Sequence, residues 1–314
     1  MNKLVILTGP TSVGKTGLSV KLAKKLDGEI ISADSMQVYK HMDIGTAKIT
    51  EKEMDGVRHH LIDVLEPVEE YNVSRFKEEA EAAIRDIYAR GSLPIIAGGT
   101  GFYIQALLYD VDFSDTAQTG YRKELIMTAE REGGRVLHDM LKKCDEKAAS
   151  YIHPNDIKRL TRALEYYHET GMKISEHNEE ARKKESPYDF RYFVLNIPRD
   201  ELYKNIDRRV DDMIKMGLVD EVLRLKEMGL DESYVSMKGL GYKEILRYLD
   251  KEISLDEAVR IVKRDTRHFA KRQLTWFKRE RDCIWINKDE YGYDDDRIMD
   301  FMMSCIDSSS AGGA

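Results

Sequence analysis

Short apolar runs bounded by glycine or proline alternate along this chain with longer stretches in which apolar residues recur every three or four positions. The first pattern predicts buried strands and the second amphipathic helices, so the chain reads as α/β with a parallel sheet. Leu4-Val-Ile-Leu7 is the first strand, and Lys15 to Leu26 is a helix whose buried seam is Leu18, Leu22 and Leu26. Glu29-Ile-Ile-Ser-Ala and Leu93-Pro-Ile-Ile-Ala repeat the strand pattern, the latter leading through glycines into a helix over Phe102 to Leu108. Phe190 to Ile197 is a returning strand ended by Pro198. Helices follow from Glu201 to Met216, with Ile206, Val210 and Met213 buried and Gly217 at the end, and from Tyr242 to Leu249, opened by Gly239-Leu-Gly241. Ser254-Leu-Asp-Glu257 is a capping box that starts one more helix, on which Val262, Phe269 and Trp276 form the inward face.

Between Asp112 and Phe190 the pattern turns polar and helical. Its clearest helix begins near Asn155-Asp156 and stops at Gly171, with Leu160, Leu164 and Tyr167 as the seam and Lys158, Arg159 and Arg162 on the basic side. At 314 residues the chain exceeds one ordinary core. The division expected is a core of 1–112 and 190–290, a helical insertion over 113–189, and an acidic, partly disordered tail over 291–314. Ser308 to Ala314 is low-complexity sequence with no fold to infer.

Chemistry concentrates where strands end. Directly after the first strand stands Gly9-Pro10-Thr11-Ser12-Val13-Gly14-Lys15-Thr16, a P-loop. Its glycines let backbone N–H groups turn onto an anion, the helix N-terminus adds partial positive charge, and Lys15 adds a full one. Thr16 can hold Mg²⁺ through its hydroxyl. The fold expected is therefore a P-loop NTPase-like parallel sheet flanked by helices, carrying a helical insertion. The second strand ends at Asp34, followed by Ser35, Met36, Gln37 and Tyr39. Residues past the carboxyl ends of strands face the ligand crevice of an open α/β sheet, which aims Asp34 at whatever occupies the P-loop. It can hold or deprotonate an acceptor, bind the metal, or simply cap the next turn. Gly98-Gly-Thr100-Gly101 closes the same cleft, and Thr100 is placed to donate to a leaving diphosphate or to the acceptor. Taken alone such a turn specifies little, since strand-to-helix turns need glycine wherever φ is positive.

These segments, with Asp43-Ile-Gly-Thr-Ala-Lys48 and His59-His60-Leu-Ile-Asp63, resemble the bacterial tRNA dimethylallyltransferases, also called tRNA isopentenyltransferases. The resemblance continues through Asn155 to Glu165, Arg209-Val-Asp-Asp-Met, Gly239-Leu-Gly-Tyr-Lys-Glu244 and Ala270-Lys-Arg-Gln-Leu-Thr-Trp-Phe277, and covers the chain to about Asn287. It implies transfer of a dimethylallyl group from dimethylallyl diphosphate to N6 of the adenine just 3′ of the anticodon, with Mg²⁺, by a monomer. It also implies roles for residues. Asp34, Thr100 and Arg209 become catalytic, and Gly9 to Thr16 bind the diphosphate. Contacts to tRNA fall to Asp34, Ser35, Met36, Gln37, Thr100, Arg122, Lys158, Arg159, Leu160, Thr161, Arg162, Lys271, Arg272 and Gln273, with the Gln37 amide reading the extruded base. Departures from the family pattern are small, at Ser12-Val13 and Phe102.

Composition adds limits. No apolar stretch approaches a membrane span and no signal pattern precedes the first strand, so a cytoplasmic location is expected. Cys144, Cys283 and Cys305 are scattered without ligand spacing, which points away from a disulfide framework or zinc site. A net charge of −7 looks wrong for a nucleic-acid partner, but from Arg260 to Arg281 nine Lys or Arg stand against two acids. Arg260, Arg264, Arg267, Lys271 and Lys278 recur at helical spacing, a stripe that suits a phosphate backbone. The rival reading is a small-molecule kinase using ATP, since a P-loop and an acid after the second strand serve both, and an RNA-stimulated ATPase switch is a third.

Overall fold

The computed structural model describes residues 2–109 and 120–307. Six strands, all parallel, form one sheet in the order β3-β2-β4-β1-β5-β6. They are β1 Asn2–Thr8, β2 Gly28–Ala33, β3 His59–His60, β4 Leu93–Gly98, β5 Tyr188–Asn196 and β6 Cys283–Asn287. The central strands are buried on both faces, as crossover helices require of a parallel sheet, with Ile6, Leu7, Ile31, Ile96 and Phe193 fully covered. Register puts Thr8 beside Gly98 and Ala33 beside Gly98, so β1, β4 and β2 end level at their carboxyl edges. The Thr8 hydroxyl donates to the Gly98 carbonyl at 2.7 Å and ties two of those ends together.

The chain divides into two compact units, Leu108–Ser186 and the remainder. The sequence placed the boundaries at 112 and 189, and position 112 lies outside the described residues. The smaller unit is all helix, with Leu125, Leu137, Leu141, Leu160 and Leu164 in its core. Its helix Ile157–Thr170 starts at Asp156, whose carboxylate accepts the Arg159 N–H at 3.2 Å, and ends at Gly171 in the left-handed region with φ 69°. Tyr167, expected in the seam, is 37% exposed, because the buried stripe drifts to Thr161, Ala163 and Glu165 instead.

The C-terminal tail needs correction. Asp295–Asp307 is a helix, not a disordered segment, and Ile298, Met299, Met302 and Ile306 make an apolar stripe in the main core. The acidic run Asp294-Asp-Asp296, expected within an acidic, partly disordered tail, stands at its start. Asp294 accepts the N–H of Asp296 at 2.9 Å, and acids at a helix N-terminus complement its dipole. Residues 308–314 lie outside the described residues.

Candidate active site

Several elements of the larger unit line a cavity of about 430 Å³ over the carboxyl edge of the sheet. The first loop supplies Thr11, Lys15 and Thr16, and the loop after β2 supplies Asp34, Ser35, Met36 and Gln37. The loop after β4 supplies Gly98 to Thr100, and the helix Arg199–Met216 supplies Arg209. The three residues expected to be catalytic, Asp34, Thr100 and Arg209, thus line one space.

The first loop is shaped for an anion. Gly9 has φ 145°, and a Cβ there would lie 2.5 Å from the Leu195 carbonyl oxygen, so only glycine lets the loop pass β5. Pro10 fixes the next φ, Ser12 adopts the left-handed region at φ 64°, and Val13 is buried beneath. The Ser12 hydroxyl is buried without a hydrogen-bond partner among the described residues. Gly14, at φ 93°, caps the helix Lys15–Leu26, which has no acid in its first turn and no side-chain cap. Its first N–H groups are therefore available to a phosphate. The Lys15 ammonium donates to the carbonyls of Gly9 at 3.0 Å and Pro10 at 2.8 Å. Burial pulls its pKa down to about 7, with the nearby Arg209 charge adding to the effect and Asp34 opposing it. Burial likewise lowers the Arg209 guanidinium, again against Asp34. Two cations crowded into a half-buried space are destabilised until an anion joins them.

Asp34 caps the next turn and also lines the cavity. Its Oδ1 accepts the N–H of Met36 at 2.9 Å and of Gln37 at 3.3 Å, capping the turn. Oδ2 has no hydrogen bond among the described residues, on a carboxylate that lines the cavity. The Gln37 amide, expected to read a base, gives its N–H groups to the Thr46 and Ala47 carbonyls at 3.3 Å each. Arg209 is not paired with Asp212, which binds Lys215.

Two parts of this site escaped the sequence reading. One is the apolar wall of the cavity, made by Ile49, Ile62, Ile206, Val210, Met213 and Phe269, several of which register in sequence only as a helix seam. The other is Glu221, 2% exposed, whose carboxylate accepts the N–H groups of Asp43, Ile44 and Gly45 at 2.8–3.0 Å and the Tyr242 hydroxyl at 2.7 Å. It holds the loop that in turn holds Gln37. An acid on the seam of the helix Leu218–Glu227, three residues after Leu218, was the available signal.

The IPP transferase family model matches residues 37–280. The tRNA dimethylallyltransferase of Lachnoclostridium phytofermentans is 64% identical over 295 residues, 94% of each chain. The chain belongs to the IPP transferase family. A second tRNA dimethylallyltransferase, from Acetivibrio thermocellus, is 51% identical over 94% of this chain and 95% of its own. The solved tRNA isopentenylpyrophosphate transferase of Bacillus halodurans shares 43% identity with a TM-score of 0.74, covering 99% of this chain and 98% of that one. A eukaryotic dimethylallyltransferase acting on tRNA reaches a TM-score of 0.76 at 35% identity, covering 88% and 70%. The P-loop NTPase-like fold and the parallel sheet agree with these relatives, and the kinase reading is not favoured.

On this IPP transferase chain the basic helix Leu255–Phe277 is less free than its sequence suggested. Arg260 pairs with Glu257, Arg264 with Asp265, Lys263 with Asp211 and Arg267 with Asp207. Lys271, Arg272 and Arg279 are exposed around a surface depression with His268, Thr275 and Trp276, and no acid pairs with them among the described residues. Gln273 is a correction. It is 7% exposed and bonded on both ends of its amide to the loops beneath, so it does not present itself to RNA. In the helical unit Lys158, Arg159 and Arg162 are exposed, and Arg122 forks onto the buried carboxylate of Glu165 at 2.6 Å. Leu160 and Thr161, assigned to tRNA by resemblance, are 0% and 4% exposed, because both sit on the seam that faces the neighbouring helices.

Proposed function

We propose that this protein transfers the dimethylallyl group of dimethylallyl diphosphate to N6 of the adenine 3′-adjacent to the tRNA anticodon, releasing diphosphate. One observation carries the reading. One cavity is lined by Lys15, Arg209 and a phosphate-type loop, by apolar side chains that include Ile49, Ile206, Val210 and Met213, and by the Asp34 carboxylate. That combination suits a short hydrocarbon joined to a diphosphate and a nucleophile that must lose a proton. It suits a nucleoside triphosphate less well, since an apolar wall offers nothing to a ribose or a γ-phosphate acceptor.

In this scheme the first loop and Lys15 grip the diphosphate, and Arg209 adds a second charge as the allylic carbon–oxygen bond breaks and the electron pair leaves with the diphosphate. Asp34, fixed by the Met36 and Gln37 N–H groups, directs its other oxygen to adenine N6 and takes the proton as the carbon–nitrogen bond forms. An exocyclic amine conjugated with its ring is a poor nucleophile, which is why a base is needed. Thr100 donates to the departing phosphate. Thr16 offers a hydroxyl oxygen on the same cavity, which fits Mg²⁺ shared with substrate phosphates and water; the ion would neutralise charge on the leaving group. The adenine must leave the loop stack, which costs roughly a few kcal/mol. Exposed cations, Lys271 and Arg272 on the basic helix and Lys158 in the helical unit, offset this by holding phosphates.

Incubation with labelled dimethylallyl diphosphate, unmodified tRNA and Mg²⁺, followed by nucleoside analysis, tests the reading. Label in N6-modified adenosine is the expected result. Phosphate transfer from ATP with no labelled nucleoside would transfer the protein to the kinase class.

A further inference from the structure

Gln273 on the basic helix reaches both phosphate-facing loops. Its Oε1 accepts the Thr11 N–H at 2.9 Å, and its Nε2 donates to the Gly99 carbonyl at 2.9 Å. Thr11 belongs to the loop after β1 and Gly99 to the loop after β4 that carries Thr100. The helix lies tightly on the second of these. A Cβ on Gly99 would stand 2.3 Å from Gln273 Nε2, and one on Gly101 would stand 2.2 Å from Trp276 Cδ1. Neither glycine has a positive φ, so what they supply is close approach of the helix, not a special turn.

We propose that Gln273 is a positioning residue for the diphosphate cradle: an amide clamp that sets Thr11 against Gly99 and thereby aims Thr100 into the cavity. This rests on the reading of the cavity given above. A glutamine suits the place because one acceptor and one donor sit at the end of one flat group. With the Thr11 N–H held by the clamp, the amides that follow it in the loop are free to turn inward on the anion. Glutamate at this position keeps the Thr11 contact but sets a carboxylate oxygen against the Gly99 carbonyl, and methionine keeps the volume and loses both bonds. Lys271 and Arg272 stand on the same turn and face outward, so the sequence neighbours of the clamp and the clamp itself do different work.

Separate binding measurements on the full chain distinguish this role from an RNA contact. Gln273→Met and Gln273→Glu are titrated with Mg²⁺-pyrophosphate by calorimetry and, without pyrophosphate, with an unmodified anticodon stem-loop RNA by filter binding. Each substitution is expected to weaken pyrophosphate by about tenfold or more, the scale of a broken buried hydrogen bond, and to leave stem-loop affinity unchanged. A loss of stem-loop affinity with pyrophosphate binding intact would overturn the proposal in favour of base or backbone recognition. No change in either ligand would overturn it outright. Thermal melts check the fold, and the isosteric Gln273→Glu gives the answer if the methionine variant does not fold. A wild-type chain that binds no pyrophosphate would instead strike the cradle itself, and that result appears before any substitution is made.

Discussion

Lys15 titrates in a range where binding can be read from protons. Its amine is held at about 7 by burial, then by Arg209, against an ordinary value of 10.5. Between those two values the unfolded chain carries the extra proton, so this group's contribution to stability rises with pH across the window and is flat below it. An anion in the cradle favours the charged amine and raises its pKa. Binding at pH 8 should therefore take up a proton, and affinity should fall as pH rises above about 7. Calorimetry of pyrophosphate binding in two buffers of different ionisation heat measures the uptake. Lys15→Arg, whose guanidinium does not titrate, should show less of it, and equal uptake by both proteins would place the proton elsewhere. Asp34 gives a second residue-level prediction. Asparagine keeps an oxygen for the Met36 and Gln37 N–H groups but cannot accept a proton. Asp34→Asn should melt like the wild type, bind pyrophosphate at least as well, and lose about 10²-fold or more in single-turnover rate.

At the level of elements, the loop Asp43–Lys48 hangs on the buried Glu221 carboxylate, and Tyr242 completes its coordination. Burial, then Glu221 itself, pushes the Tyr242 phenol well above its ordinary value, so it stays a donor. Glu221→Ala leaves three backbone N–H groups without an acceptor, at about 1 kcal/mol or more each. A melting temperature lowered by about 5 °C is expected, with Glu221→Gln between that and wild type; a melt like wild type would mean water replaces the carboxylate. The same elements mark what a sequence reveals. Strands of five or more apolar-rich residues flanked by glycine, and helices with Asp156, Gly171 or Gly217 at their ends, were legible because local chemistry specifies them. β3 was not, since its two residues owe their place to β2, and β6 was hidden by the charged residues that precede it. The P-loop, Asp34 and Thr100 were legible as motifs. Gln273 was named in a motif but assigned to RNA, and Glu221 was not named, because a polar side chain reads as surface until the loops that bury it are known.

Across the whole molecule, an excess of seven negative charges is compatible with the proposed nucleic-acid partner because charge is sorted by location and by pairing. Sequence counts nine cations from Arg260 to Arg281, but a cation already bound to a carboxylate releases few counterions when a phosphate arrives. Arg267 sits 2.5 Å from Asp207, and Arg260, Lys263 and Arg264 are similarly held. Lys271 and Arg279 are exposed without an acid among the described residues, and they flank the same depression. The cations this helix leaves for the proposed RNA partner therefore lie on its C-terminal half, a narrower set than the periodic stripe implies. Salt dependence separates the two descriptions. Filter binding of tRNA across about 50 to 200 mM salt should give a log–log slope that falls by roughly one for Lys271→Ala and again for Arg279→Ala. Arg267→Ala should leave the slope close to wild type, since a guanidinium already held by Asp207 has no phosphate contact to lose. A slope that responds equally to all three substitutions would restore the full-length stripe as the contact surface and show that the Asp207 pair opens when RNA binds.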